Sequence, residues 1–223
     1  MNWITESVRK AKNLKDHYKM HNIDIFVKDP LSEKVDIDYV LSYVSKRIPS
    51  FLMNNVDIIY VGQFDMFKKN KTNATYQDGA IYITNEQTSN EDMIDDIVHE
   101  IAHSIEESQF DLLYGDHAIK KEFLGKRRRL FNILDSYDYN PPKDLFMDHH
   151  YSKELDMYLF EKVGYEALWN MVIGLFPTPY SVTSLREYYA IGFEEYFIKD
   201  KRSLKKVCPI LYSRLESLEY LEG

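Results

Sequence analysis

The feature that most constrains this chain is a change of hydrophobic period near residue 90. Before it, short apolar runs of strand length occur at 23–28 (IDIFVK), 56–62 (VDIIYVG) and 80–84 (AIYIT), punctuated by Asp29-Pro30 and Asp78-Gly79. After it, apolar residues recur at spacings of three and four through 91–108, 118–135, 151–163, 165–175, 183–198 and 203–220. Strands gathered first and helices afterwards predict an α+β fold rather than an alternating α/β one. Two helices are also expected early. One spans 2–20, through Trp3, Ile4, Val8, Ala11 and Leu14, and the other spans 34–48 and stops at Pro49. Residues 66–79 suit a loop or hairpin, and Asn90 reads as the cap of the next helix, with Glu91 and Asp92 in its first turn.

Composition narrows the function classes. The formal charge of −8 and pI near 5.4 disfavour a nucleic-acid partner, which needs a basic surface. The basic run Lys126-Arg127-Arg128-Arg129 lies in a helical pattern and reads as a solvated face. A single cysteine, Cys208, excludes an internal disulfide framework and reads as a small buried hydrophobe. The N-terminus has no apolar signal region, and no run reaches the ~20 apolar residues of a membrane span. The expectation is a protein with no membrane partner, cytoplasmic or delivered by a non-classical route.

The chemistry is carried by His99-Glu100-Ile101-Ala102-His103. Ile94, Ile97, Val98, Ile101 and Ile105 place this segment on a helix with a buried stripe. Two histidines four apart leave the same helix face one turn apart, which suits one tetrahedral zinc. Glu100, the next residue after His99, is turned by about 100° and is expected to serve not as a ligand but as a general base toward a metal-held water. Glu106 and Glu107 fall three and four residues after His103. They are read as solvated charge, or as partners that orient a ligand imidazole.

A catalytic zinc takes three protein ligands and one open position. The extended form HExxHxxGxxH is absent, since Glu106 and Gln109 stand where Gly and His would be. The leading candidate is Glu187, in the helical stretch Glu187-Tyr188-Tyr189-Ala190. Glu194 and Glu195 compete with it on the same stretch, and Asp148-His149-His150 compete from the segment after Pro141-Pro142. The histidine pair otherwise reads as a solvated helix start, and His17, His21 and His117 as surface residues.

HEIAH followed by Glu-aromatic-aromatic-Ala resembles the zincin family of the anthrax lethal factor catalytic domain and the Pro-Pro endopeptidases. The resemblance covers about 99–103 and 180–220, with weaker support at 80–84. It implies Glu187 as third zinc ligand and Tyr180, seven residues before it, as a hydroxyl that supports catalysis. It implies a strand, here 80–84, running along the cleft to pair with extended substrate. It departs from the family in a longer stretch between His103 and Glu187 and in Ile191, where members often carry an acid. The expected organisation is therefore one zincin-like domain, 1–223. It comprises helices and a small mixed sheet (1–90), the HExxH helix (91–108), a helical insertion serving as lid, exosite or extra packing (110–165), and a helical subdomain with the third ligand (166–223). The implied activity is zinc-dependent endopeptidase action on a protein or peptide. A silent zincin-like binding module is the alternative, against which the intact Glu100 speaks. A purely structural zinc would need a fourth ligand from Asp148, His149 or His150.

Overall fold

The computed structural model describes residues 16–70 and 72–221. Most of the expected helix over residues 2–20 lies outside them. The chain divides into two compact units, Met1–Ser108 and Gln109–Gly223.

The first unit carries a five-stranded mixed sheet: β1 (Asp16–Met20), β2 (Ile23–Val27), β3 (Ile58–Val61), β4 (Ala74–Gln77) and β5 (Ala80–Ile83), ordered β1-β2-β3-β5-β4. The inner two pairings are parallel, and β1 and β4 run antiparallel at the edges. Alternation sends Ile23, Ile25, Val27, Ile59, Val61, Ile81 and Ile83 into the core. With them are buried Val40 and Val44 of α1 (Ile37–Arg47) and Ile94, Ile97, Val98 and Ile101 of α3 (Asn90–Ser108). A short helix, α2 (Asp65–Asn70), precedes β4. The opposite sheet face carries a cross-strand row of Phe26, Tyr60 and Tyr82, with ring centroids 6.0 and 5.4 Å apart.

Three expectations are corrected in this unit. Asp16–Met20 is a strand, not the end of a helix, because it pairs with β2 through a turn in which His21 has φ 52°. The strand at 80–83 is interior, between β3 and β4, so the sheet edge belongs to β4. The turn joining them has Asp78 at φ 48° and Gly79 at φ 83°, the pair of positive angles a two-residue hairpin requires. The cap of α3 is Ser89, whose hydroxyl accepts the Asp92 N–H at 3.1 Å, while the Asn90 amide oxygen accepts the Asp36 N–H at 2.7 Å.

The second unit is helical: α4 (Phe110–Tyr114), α5 (Ala118–Ser136), α6 (Lys143–Met147), α7 (Lys153–Met157) continuing into a π-helical stretch (Tyr158–Val163), α8 (Tyr165–Val172), a 3-10 turn (Tyr180–Val182), α9 (Leu185–Phe197), α10 (Lys201–Val207) and α11 (Pro209–Glu219). Its core includes Phe123, Phe176 and Tyr188, whose rings meet at 5.4–6.1 Å. Gly192 lies in mid-helix because α9 packs so tightly there that a Cβ would collide with Leu211 of α11. The expected helix at 203–220 is two helices, broken at buried Cys208 because Pro209 starts α11. The stretch 110–165 supplies the fully buried Phe123, Leu130, Leu134 and Phe146, so it is part of this core. The basic run is not a solvated face. Arg128 and Arg129 are exposed, but Lys126 and Arg127 are buried. The chain is thus a mixed α+β protein.

Candidate metal centre

In α3, His99 and His103 lie one turn apart, with ring centroids at 4.7 Å and their Nε2 atoms 3.2 Å apart. Zinc–nitrogen bonds of about 2.0–2.1 Å at a tetrahedral angle separate two ligating nitrogens by about 3.3–3.4 Å. Two Nε2 atoms converging at that spacing fit a shared metal ion. The far nitrogen of His103, Nδ1, lies 3.5 Å from Glu106 Oε2, and both side chains are largely buried. A carboxylate on the outer nitrogen fixes the tautomer and aim of a ligand imidazole. Of the two readings of Glu106, the orienting partner is the one that fits. Glu107 is exposed.

Glu100 is 6% exposed, although a carboxylate inside a helix normally faces water. Its Oε2 accepts the backbone N–H of Tyr76 at 2.6 Å. Tyr76 lies in β4, and its N–H faces away from β5, because Tyr76 and Ile81 are a non-bonded pair in the hairpin register. One carboxylate oxygen is therefore pinned by the edge strand. Tyr76 was not singled out by sequence. The Asp78-Gly79 turn, read backwards as a hairpin, was the signal for its strand.

In the second unit, Glu187 occupies the first turn of α9, where the Ser184 hydroxyl caps the helix by accepting the Glu187 N–H at 3.1 Å. Tyr180 lies in the 3-10 turn just before it, with 41% of its surface exposed. Desolvation first, then the Glu187 and Asp156 carboxylates, push the Tyr180 hydroxyl above its ordinary range. It stays protonated and able to donate at any physiological pH. Tyr151, whose hydroxyl donates to Asp156 at 3.2 Å, and Tyr165 belong to the same electrostatic neighbourhood.

What holds this segment is Arg127. Its guanidinium is wholly buried and donates to the carbonyls of Val182 (2.8 Å), Thr183 (2.6 Å), Leu145 (3.2 Å) and Asp148. Burial pulls its pKa down to about 10, which leaves it charged at neutral pH. The residues ending the 3-10 turn and leading into the Ser184 cap thus hang from one side chain on α5.

The structure brings His99, Glu100 and His103 together in the first unit, and Tyr180 and Glu187 together in the second. Of the competing ligands, Glu194 is buried and paired with Lys199 at 2.8 Å. Glu195 Oε2 accepts the Asp200 N–H at 3.4 Å, and burial raises its pKa. Asp148, His149 and His150 form a cluster of their own between α6 and α7.

No protein-family model, curated protein or solved structure matches the chain.

The electrostatics of α3 also involve Asp96, one turn before Glu100. Its Oδ2 accepts Gln87 Nε2 at 2.8 Å, yet desolvation and the nearby Glu100 carboxylate push its pKa up to about 6. Among the described residues, no helix is long and apolar enough to cross a membrane.

Proposed function

We propose that this chain is a zinc-dependent endopeptidase with a zincin-like fold, related to the lethal factor and Pro-Pro endopeptidase family. The observation that carries the reading is the convergence of His99 Nε2 and His103 Nε2 at 3.2 Å, on the helix that also presents the anchored Glu100 carboxylate. His99 and His103 would hold the ion, with Glu187 as the third ligand that the family resemblance implies, a set of two imidazoles and one carboxylate. Zinc bound there would supply Lewis-acid polarisation of the scissile carbonyl and a water acidified to a pKa near ~7.

The chain's own residues supply the remaining steps. Glu100, oriented by Tyr76, takes a proton from the attacking water and passes it to the leaving amine. Tyr180, held protonated, donates a hydrogen bond to the carbonyl oxygen as charge develops on it. An extended peptide would add to the outer edge of β4 at Ala74, which turns its N–H and C=O away from β5, since the outward N–H of Tyr76 is already taken by Glu100. The expectation that 80–84 performs this pairing passes to β4.

The test is zinc content together with peptide-library cleavage, on wild type and Glu100→Ala. The expected result is stoichiometric zinc in both and a rate at least ~10³-fold lower in the variant. Zinc in both with cutting by neither would favour the silent binding module, and absence of zinc from both would refute the reading.

A further inference from the structure

Asp148, His149 and His150 are consecutive residues in the segment joining α6 to α7, and their donor atoms lie within 4.8 Å of one another. One oxygen serves both rings: Asp148 Oδ1 is 2.8 Å from His150 Nδ1 and 3.5 Å from His149 Nδ1. The two imidazole rings are 3.9 Å apart, inclined at 46°. Donor spacings of this size bracket the ~3.3 Å edge of a tetrahedron built on bonds of about 2.0–2.1 Å. A shared cation would be held by both rings in their neutral form.

The segment is also preorganised. Arg127 donates to the Asp148 carbonyl, and the His149 carbonyl accepts the Leu185 N–H at 2.9 Å. The backbone is thus tied on two sides. The side chains stay accessible, with 55% of Asp148, 25% of His149 and 73% of His150 exposed.

We propose that Asp148, His149 and His150 form a second metal site, for a divalent transition-metal ion. Two imidazole nitrogens and one carboxylate oxygen select zinc, nickel, copper or cobalt over magnesium and calcium, which take oxygen ligands. The remaining coordination positions face solvent, so the ion exchanges and binds more weakly than one held in a closed site. This site owes nothing to the peptidase reading.

The probe is Co²⁺, titrated into tag-free, metal-stripped protein and followed by calorimetry and visible absorption. The expected result is a binding event that persists in the His99→Ala/His103→Ala variant and weakens at least tenfold in His149→Ala/His150→Ala. His150→Ala alone, at the most exposed ligand, tests the same loss where folding is least disturbed. If both substituted sites bind Co²⁺ as the wild type does, or if all binding vanishes with His99 and His103, the proposal is overturned. Binding that survives loss of His99 and His103 at full stoichiometry, and disappears with His149 and His150, supports it and sinks the HExxH reading instead. A wild type that binds no Co²⁺ overturns both.

Discussion

Helices α3 and α9 are held in place in different ways. In α3 the contacts that prepare the site come mainly from the same stretch of chain or the hairpin just before it. Ser89 caps the helix, Glu106 meets His103 within one turn, and Tyr76 fixes Glu100 from 24 residues away. In α9 they come from far off. Arg127 grips Val182 and Thr183 from 55 and 56 residues away. Glu122 accepts the Tyr188 hydroxyl from 66 residues away and also the Ile210 and Leu211 N–H groups at the start of α11. The contacts that aim His103 and Glu100 on the first helix are short-range, although Asn55 and Asp36 reach its Ser104 and Asn90 from far off. The second is aimed by tertiary structure, so a substitution far from it in sequence is able to misplace it.

The largest expected effect breaks the comparison on the α9 side. Arg127→Met leaves four carbonyls without their donor, those of Val182 and Thr183 in buried bonds, and is expected to cost about 3–5 kcal/mol. In urea denaturation followed by hydrogen exchange, the loss falls on amides of the second unit, while those of β2, β3 and α3 keep their protection. Arg127→Lys keeps the charge but offers one nitrogen to four acceptors, so only partial recovery is expected. Equal loss of protection in both units would show that the staple is not local to α9.

Next in size is Tyr180→Phe. If its hydroxyl serves the developing oxyanion, kcat falls by about 10²-fold with zinc content unchanged. Because the Tyr180 pKa is raised, the wild-type pH–rate profile should show no alkaline limb from this group up to pH 10. An unchanged kcat would leave Tyr180 as a surface aromatic and confine the chemistry to α3.

These two helices also differ in how far their sequences disclose them. Helix α3 was legible because a spacing of four and a stripe of isoleucines are local properties, and a helix turns them directly into geometry. Helix α9 was legible as a helix, and Glu187 was singled out on it as a candidate ligand, but nothing local disclosed Arg127. In a run of four basic residues, two are buried and two exposed, and only packing decides which. Likewise Asp16–Met20 became a strand because β2 offered it an antiparallel partner, a tertiary fact that outweighs weak propensity. The 80–84 strand was recognised as a strand, but its interior position depends on a hairpin partner whose sequence, Ala-Thr-Tyr-Gln, carries a weak strand signal.

The third prediction probes α3 by pH. Asp96 has a pKa of about 6 folded against 3.8 as its ordinary value, so the native state holds its proton more tightly than the unfolded chain. Its contribution to stability is therefore fully present below about pH 4 and is lost as pH rises through 6. Asp96→Asn keeps an oxygen to accept Gln87 and removes the charge. In metal-free protein it should stabilise by about 1–2 kcal/mol at pH 7, the gain vanishing near pH 4. A gain independent of pH would assign the effect to helix propensity.

The smallest expected effect is also the most local. Glu106→Gln leaves the size of the side chain and removes its charge from His103 Nδ1, 3.5 Å away. If His103 ligates zinc as proposed, a carboxylate there raises the basicity of the nitrogen on the opposite side of the ring, so its loss should weaken zinc affinity about tenfold, near 1.4 kcal/mol, without unfolding α3. Competition with a chelator measures this directly. Glu107→Gln, one residue further on the exposed face, is the control and should leave affinity unchanged. Equal effects of the two substitutions would mean that bulk charge, rather than a contact one turn along the helix, tunes His103. The claim that α3 carries its own supporting interactions would then fail at its closest test.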